Sequence, residues 1–552
     1  MEIENNAPRP SGQKKSVWTP LVIALSFAAG LLAGAFVFKV TTETGANAKI
    51  ESIMKYITSQ YVDEVDTDSL LEASIGDIMA KLDPHSVYIS GKDLQGANEE
   101  LEGSFSGIGI QFNMMTDTVT VLEVISGGPS EKVGILPGDR IITINDTVAA
   151  GMKWDTEKIM SRLRGVKGTK VKLGIQRSSS PKLLTYEVTR GDIPVTSIDA
   201  QYIVSPGIGY VKVNKFGRTT YSEFITALNE LRRRGAKDYI VDLRGNSGGF
   251  MEMAVLMANE FLEAGRPIVS THGRTADSES MMTSDGNGSF KEAQVTVLMD
   301  EFSASASEIF AGAMQDNDRG LVIGRRSFGK GLVQRQFDLP DNSAIRLTTA
   351  RYYTPSGRCI QKTYTHGNGE AYEMEILDRY THGEAYSADS VKLDKTQQFA
   401  TLGGRTVFGG GGIMPDIFVP NDTTGLSTYY LNVANAGLLH KFAFSYVDAN
   451  RAKFKKARTT DELLAMLPAD DALLQLFADF AYTKGGIAPR WYYINLSRNL
   501  IVNQLKGLIA RDVIGTSGYY EVTNTADKTV GRALKEIAEG HAAFPVKVGS
   551  EK

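Results

Sequence analysis

Hydrophobic positions along this chain change period several times, and each change predicts a different kind of structure. Val17–Phe38 is a run of 22 residues without a charge, long enough as a helix to cross a hydrocarbon core of roughly 30 Å. From Ala48 to Leu82 the apolar residues fall at helical spacing: Ile50, Ile53, Met54 and Ile57, then Leu70, Leu71, Ile75, Ile78, Met79 and Leu82. Asp83-Pro84-His85-Ser86 stops this helix, because proline disfavours the α conformation in the residue before it. Between Gly103 and Gly191 short β-like runs take over, Thr118–Val124, Arg140–Ile144 and Lys170–Gln176, punctuated by glycine- and proline-rich turns.

After Pro194 strands and helices alternate. Tyr221, Phe224, Ile225, Leu228 and Leu231 mark one helix face, Asp238–Leu243 a buried strand, and Phe250–Leu262 a second helix. Val295–Met299 is a further strand, a helix starts near Ala304, and Leu321–Ile323, Gln334–Leu339 and Ala344–Tyr353 complete the strands. This order predicts an α/β layered sheet with helices packed on it. Lys362–Lys395 is polar and irregular and reads as an insertion; Gly404–Pro420 closes the domain. From Asn421 to Lys552 helical runs such as Leu473–Phe477 return without recognisable chemistry, as a helical cap or partner surface.

The expected organisation is a multidomain α/β chain. A cytoplasmic tail (1–16) leads into a transmembrane signal-anchor (17–40), then a helical region (48–95) that serves as a packing arm or a contact with a second copy or an adaptor. A β-rich domain (98–191), an α/β core (192–420) and a helical extension (421–552) follow. Arg9, Lys14 and Lys15 precede the apolar run, which places the first residues in the cytoplasm and exports the rest. A cleaved signal peptide is the rival, but no small-x-small cleavage site precedes Lys39. At 552 residues the chain holds roughly three or four domains. Its net charge of −4 gives no general attraction to nucleic acid. The single cysteine, Cys359, allows no internal disulfide.

Three stretches compete to carry chemistry. Gly245-Asn246-Ser247-Gly248-Gly249 fits the G-x-S-x-G nucleophile elbow, strand before and helix after, which would make Ser247 the nucleophile of an α/β-hydrolase. That mechanism requires a histidine, and His272, His366, His382 and His440 all sit in unremarkable settings. The same glycine turn is equally suited to donate backbone N–H groups to an oxyanion. Gly324–Lys330 nearly fits a phosphate loop, but the residue after the lysine is Gly331 rather than Ser or Thr, and a strand follows instead of a helix. Asp300–Gln334 offers Ser303, Ser305 and Ser307 at a helix start and Lys330 between two glycines. A serine needs a base to attack, and a lysine whose pKa is lowered by burial serves as one. Spacing alone does not choose among the three serines.

Several motifs, in order, settle the choice by resemblance. SASASEIFAGAMQD, FGKGLVQ, VDLRGNSGG, RYYTPSGRCIQK and GRTVFGGGGIMPD, with VDEVDTDSL and LDPHSVYI upstream, are similar to those of the carboxyl-terminal processing (tail-specific) serine peptidases, from about Ala48 to Pro420. Gly107-Ile108-Gly109-Ile110 and GGPSEKVGILPGDRIITIND, with its Gly138-Asp139 turn, resemble a PDZ domain, whose loop receives a terminal carboxylate while the peptide adds as a strand. The resemblance implies Ser305 as nucleophile, Lys330 as general base, Gln334 as the residue that orients the lysine, and Asp316 as a proposed relay member. It implies an oxyanion site from Gly248, Gly249 and Ala306. The family often has proline where this chain has Ser247, which makes Ser247 a turn residue. His85 reads as structural. No metal or organic cofactor is implied. The expected activity is endoproteolysis of exported proteins with flexible apolar C-terminal tails, in the periplasm. The alternatives are a non-catalytic PDZ tether at the membrane and the Ser247 hydrolase.

Overall fold

The computed structural model describes residues 18–42, 46–114, 117–125, 127–177, 180–392 and 394–541. It divides into a small unit ending at Ile78 and a large one from Met79 onward. The small unit holds α1 (Trp18–Thr42), α2 (Ala46–Gln60) and α3 (Thr67–Ala80). Side chains of α1 are described from Trp18 to Leu32, Thr19 aside, and all are exposed, Leu21, Ile23, Phe27 and Leu32 included. Among the described residues no helix is long and apolar enough to cross a membrane. The spanning anchor expected over residues 17–40 lies partly outside those residues and finds no support within them. The tail 1–16 lies wholly outside.

The large unit begins at the proline stop. Asp83 Oδ1 accepts the N–H groups of His85 (2.8 Å) and Ser86 (2.9 Å), and Oδ2 accepts the Ser86 hydroxyl (2.6 Å). β1 (Val87–Ile89) and α4 (Gly91–Glu102) follow. β2 (Ser104–Gly107) then opens the β-rich domain. Its sheet runs β3 (Ile110–Asn113), β4 (Val119–Val124), β5 (Arg140–Ile144), β7 (Lys170–Gln176), β8 (Leu184–Thr189), all antiparallel, with β6 (Thr147–Val148) on β5. α5 (Pro129–Val133) and α6 (Thr156–Leu163) pack on it, and β9 (Gly191–Pro194) pairs with β2 to close the neck. β7 shows why the strand forms: Val171, Leu173 and Ile175 are buried while Lys170 and Lys172 face water. The Gly138-Asp139 turn is held by Asp139, which accepts Leu136 N–H (2.9 Å) and pairs with Arg177 through two bonds of 2.7 Å.

The α/β core is a six-stranded sheet. Its order is β10 (Ile198–Ser205), β11 (Ile208–Val213), β12 (Asp238–Asp242), β15 (Val295–Met299), β16 (Leu321–Gly324), β21 (Ile417–Phe418), parallel except for the β10–β11 pair. α7 (Thr220–Arg233), α8 (Met251–Asn259) and α9 (Ala306–Asp316) cover one face, where Phe224, Phe261 and Phe310 are fully buried. Each such ring contributes on the order of 1.5–3 kcal/mol. A second sheet joins β1, β13 (Pro267–Gly273), β14 (Ser280–Thr283), β17 (Leu332–Asp338) and β18 (Ala344–Tyr353), so β1 brings the proline turn against the core. The stretch expected to be an irregular insertion contains a helix, α10 (Gly369–Thr381), before the hairpin β19 (Gln398–Ala400) and β20 (Thr406–Phe408). Its polar sequence hides the helix because ion pairs to the core stabilise it: Arg326–Glu375 (3.6 Å) and Arg326–Glu384 just beyond its end.

The extension has two parts. α11 (Thr428–Asn435), α12 (Leu438–Ala449), α13 (Arg451–Phe454), α14 (Thr460–Met466), α15 (Asp470–Gly485), α16 (Trp491–Leu496), α17 (Arg498–Ile514) and α18 (Thr516–Thr523) form a bundle around Phe442, Leu473, Phe477, Ile501 and Leu505. The last helix, α19 (Lys528–Ala538), instead lays Val530, Ala533 and Ile537 on the second face of the core sheet, against Tyr210, Ile240 and Leu298. A parallel sheet must be covered on both faces, and here the extension supplies that cover.

Candidate active site

Ser305 stands just beyond the end of β15. The chain turns through Asp300–Ala304 and enters α9 at Ser305, whose backbone sits at φ 56°, ψ −115°. That conformation costs an L-residue on the order of 1–3 kcal/mol and persists only where the surroundings fix it. They do. Ser305 N–H donates to Glu308 Oε2 (2.8 Å), Ala304 N–H to the Asn246 carbonyl (3.0 Å), and Ser303 Oγ to the Leu243 carbonyl (2.9 Å). Ser307 Oγ donates to the Asn246 carbonyl (2.9 Å). Ser303 and Ser307 are fully buried and engaged as lacing, whereas Ser305 lines an open cavity of 920 Å³. Burial thus singles out Ser305 among the three serines.

The glycine turn lies directly against it. A Cβ on Gly248, which holds φ +102°, would stand 2.7 Å from Ser305 Cβ and 2.7 Å from the Ala304 carbonyl oxygen. Only glycine fits this approach. Gly248 N–H donates to Asn246 Oδ1 (2.9 Å), so it is already engaged and is not the oxyanion donor expected. Gly249 N–H and Ala306 N–H carry no hydrogen bond among the described residues, and both Gly249 and Ser305 line the cavity. Ser247 is exposed and lines the same cavity, and none of the hydrogen bonds among the described residues joins its hydroxyl to a histidine or lysine. His272 pairs with Glu279 (2.7 Å), His366 bonds the Leu82 carbonyl, His382 bonds Asp378 of its own helix (2.7 Å), and His440 belongs to the extension.

Lys330 lines the same cavity from the Gly329-Lys330-Gly331 loop, which runs into β17 and not into a helix. Its Nζ donates to Gln334 Oε1 (3.0 Å). Burial pushes the ammonium below the usual lysine range, with Glu308 and Asp83 opposing and Arg346 assisting. Gln334 Nε2 in turn donates to the His85 carbonyl, which fixes the amide's orientation. The proline turn, read from sequence as structural, therefore holds Lys330 in place through one glutamine. The His85 imidazole is lowered to about 4 by burial and by Lys330, and so stays neutral beside Tyr372 Oη (2.9 Å). Among the described residues no hydrogen bond joins Ser305 Oγ to Lys330 Nζ, whose partner is Gln334.

Glu308 is the residue the sequence did not flag. It is fully buried and accepts four donors: Ser327 Oγ (2.5 Å) and Gly329 N–H (2.7 Å) at Oε1, Ser305 N–H (2.8 Å) and Lys330 N–H (2.9 Å) at Oε2. One carboxylate thus ties the Ser305 turn to the Lys330 loop. Burial pushes it up to about 7, against those four bonds. Its signal was the spacing Ser305-x-x-Glu308, a capping box. Tyr352 Oη adds a second tie, donating to the carbonyls of Lys330 (2.6 Å) and Ser305 (3.1 Å). Asp316 is not brought to this pair. It is fully buried against Arg358 (2.8 Å) and accepts the Ser356 hydroxyl (2.6 Å), and it is not among the charges acting on Lys330.

In the β-rich domain Gly107-Ile108-Gly109-Ile110 links β2 to β3. Ile108 is buried in that domain's core, and Gly109 holds φ +75° with its carbonyl accepting Ile125 N–H (3.0 Å). Among the described residues β3 is a sheet edge, with its outer side unpaired.

A buried-lysine loop, a strained serine and a glycine turn on an α/β sheet, with a PDZ domain attached, define a serine-type peptidase. Peptidase family S41 matches residues 207–368, a PDZ domain residues 106–188, and a family of unknown function (DUF8443) residues 429–515. The carboxy-terminal processing protease CtpB of Bacillus subtilis is 33% identical over 353 residues, 63% of this chain and 72% of that one. The carboxy-terminal-processing protease of Bartonella bacilliformis is 35% identical over 318 residues, 57% and 72% of the two chains. Among solved structures, the photosystem II D1 C-terminal processing protease aligns with a TM-score of 0.34 at 28% identity, covering 58% of this chain and 85% of that one. This chain belongs to the carboxy-terminal processing proteases of peptidase family S41.

Proposed function

We propose that the protein is an endopeptidase with a Ser305–Lys330 dyad that cuts protein substrates near flexible, apolar C-terminal tails. A tail adds as a strand to the open edge of β3 while its carboxylate meets the Gly107–Ile110 loop. The scissile carbonyl then reaches Ser305. Neutral Lys330 takes the Ser305 proton, the hydroxyl oxygen attacks, and the oxyanion accepts Gly249 N–H and Ala306 N–H. The lysine's proton passes to the leaving amine, giving an acyl-enzyme. Water, deprotonated by the same lysine, hydrolyses the ester. The observation that carries this reading is Glu308, which binds the backbones of both partners and aims Ser305 and Lys330 into one cavity.

The uncharged run Val17–Phe38 after three cations supports an anchor with the peptidase outside the cytoplasm, in the periplasm. The apolar residues Ile50, Ile53, Leu70 and Leu71, exposed on the small unit, support contact with a second copy or an adaptor. A non-catalytic PDZ tether would keep β3 but would have no use for a laced serine and a depressed lysine.

Lys330→Arg decides the base, since guanidinium remains protonated. Tail cleavage by that variant should be undetectable; substantial turnover would refute a lysine base. Trapping exported proteins on the Ser305→Ala variant and sequencing their C-termini identifies the tails. Captured proteins with polar, folded C-termini would contradict the substrate class.

A further inference from the structure

The extension reaches the active site. Arg244 is the first residue of the glycine turn, and its guanidinium is divided between two acids. Nε and Nη2 bond Asp242, at 3.0 Å and 2.6 Å, at the end of β12. Nη1 bonds Asp527 Oδ2 at 2.7 Å, from the extension. The Arg244 carbonyl accepts Lys212 Nζ, and the next residue, Gly245, donates its N–H to Asp300 Oδ1 (2.9 Å), which opens the Ser305 turn. Tyr210 Oη donates to Asp242 Oδ2 (2.7 Å). Lys212 and Arg244 share Asp242 as an acid of the core, Lys212 also lies near Asp199, and Asp527 is the acid that the extension adds at Arg244.

We infer that Asp527 is a positioning residue for the oxyanion donors: the helical extension fixes Arg244, and through it the Gly245–Gly249 turn that carries Gly249 N–H. Asp527 suits this role because it is itself fixed. Its Oδ1 caps α19, accepting Thr529 N–H (2.8 Å) and Val530 N–H (3.0 Å), which leaves Oδ2 aimed at Arg244. The flanks are tied as well: Asn524 Nδ2 donates to Tyr202 Oη (2.7 Å), and Tyr202 Oη to the Tyr520 carbonyl (3.2 Å). Without Asp527 the guanidinium loses the partner of Nη1 and keeps a free arm, so the turn loses its defined position. The extension is then part of the catalytic apparatus and not an appendage. The inference rests on Gly249 as an oxyanion donor to Ser305.

Asp527→Ser separates the two functions of the residue, because serine still caps a helix but does not reach Arg244. Two rates are measured on the full chain: kcat on a tailed peptide, and labelling by a small fluorophosphonate, which needs the serine and oxyanion site but no tail. Both should fall about tenfold, with KM for the tailed peptide unchanged. In an Arg244→Met background Asp527→Ser should cause no further loss, whatever either change does to stability. Wild-type rates in Asp527→Ser, or losses that simply multiply in the double variant, would overturn the inference. Ser305→Ala run in parallel must abolish labelling. If it does not, the underlying site assignment fails instead, and the two failures are told apart.

Discussion

The cavity around Ser305 and the edge of β3 are built in opposite ways. Around Ser305 the backbone is tied down: Ser303, Ser307, Asn246, Glu308 and Tyr352 all bond neighbouring backbone, and Ser305 is kept in a strained conformation. Along β3 no strand pairs on the outer side among the described residues. Chemistry gains from fixed donors that need no reorganisation as charge develops. Capture gains from backbone valence kept open for an added strand. Substitutions should therefore separate cleanly, with changes at the first region lowering kcat and changes at the second raising KM.

The largest separation comes from Lys330→Ala. Tail cleavage should drop by at least about 10³-fold, as expected when a nucleophile's base is lost, while isothermal titration shows unchanged binding of a tail peptide. Lost peptide affinity in that variant would join the two regions. Gly248→Ala should follow, with kcat down on the order of 10²-fold, because its methyl group collides with Ser305 Cβ and the Ala304 carbonyl. Glu308→Gln comes next. The amide turns an N–H₂ group toward donors that a carboxylate accepts, so kcat should fall about 10- to 100-fold and Tm several degrees. Fluorophosphonate labelling rates and calorimetry read the two effects. Retention of both at wild-type levels would remove Glu308 from the site. Smallest is Gly109→Val, where φ +75° and the nearby Ile193 Cδ1 oppose a side chain. It should raise KM for tailed substrates about tenfold while labelling of Ser305 is unchanged.

Much of this was legible in the sequence, for identifiable reasons. The strands Val119–Val124, Lys170–Gln176 and Asp238–Asp242 announce themselves by burial period, and the serine, lysine and glutamine sit in contiguous motifs. What was hidden depends on tertiary contacts. α10 is too polar to show a core face, since Arg379 of that helix bonds the Ser327 and Phe328 carbonyls rather than packing apolar surface. His85 acts through its carbonyl, which carries no residue signature. Gly248 was a reasonable oxyanion donor until the Asn246 side chain was seen to occupy its N–H. Asp316 follows the helix motif as a relay acid would, but Arg358, 42 residues on, claims it. The boundary drawn at Pro420 could not show that α19 returns to cover the core sheet.

The central claim is that Ser305, activated by Lys330, forms the covalent intermediate. Peptide mapping by mass spectrometry after fluorophosphonate treatment tests it most directly, with the rate followed across pH. A base must be neutral to act, and the Lys330 pKa lies below the lysine range. A single adduct on Ser305 is therefore expected, formed faster as pH rises through one ionisation below that range, with no adduct in Lys330→Arg. An adduct on Ser247, or an equal rate in Lys330→Arg, would contradict it.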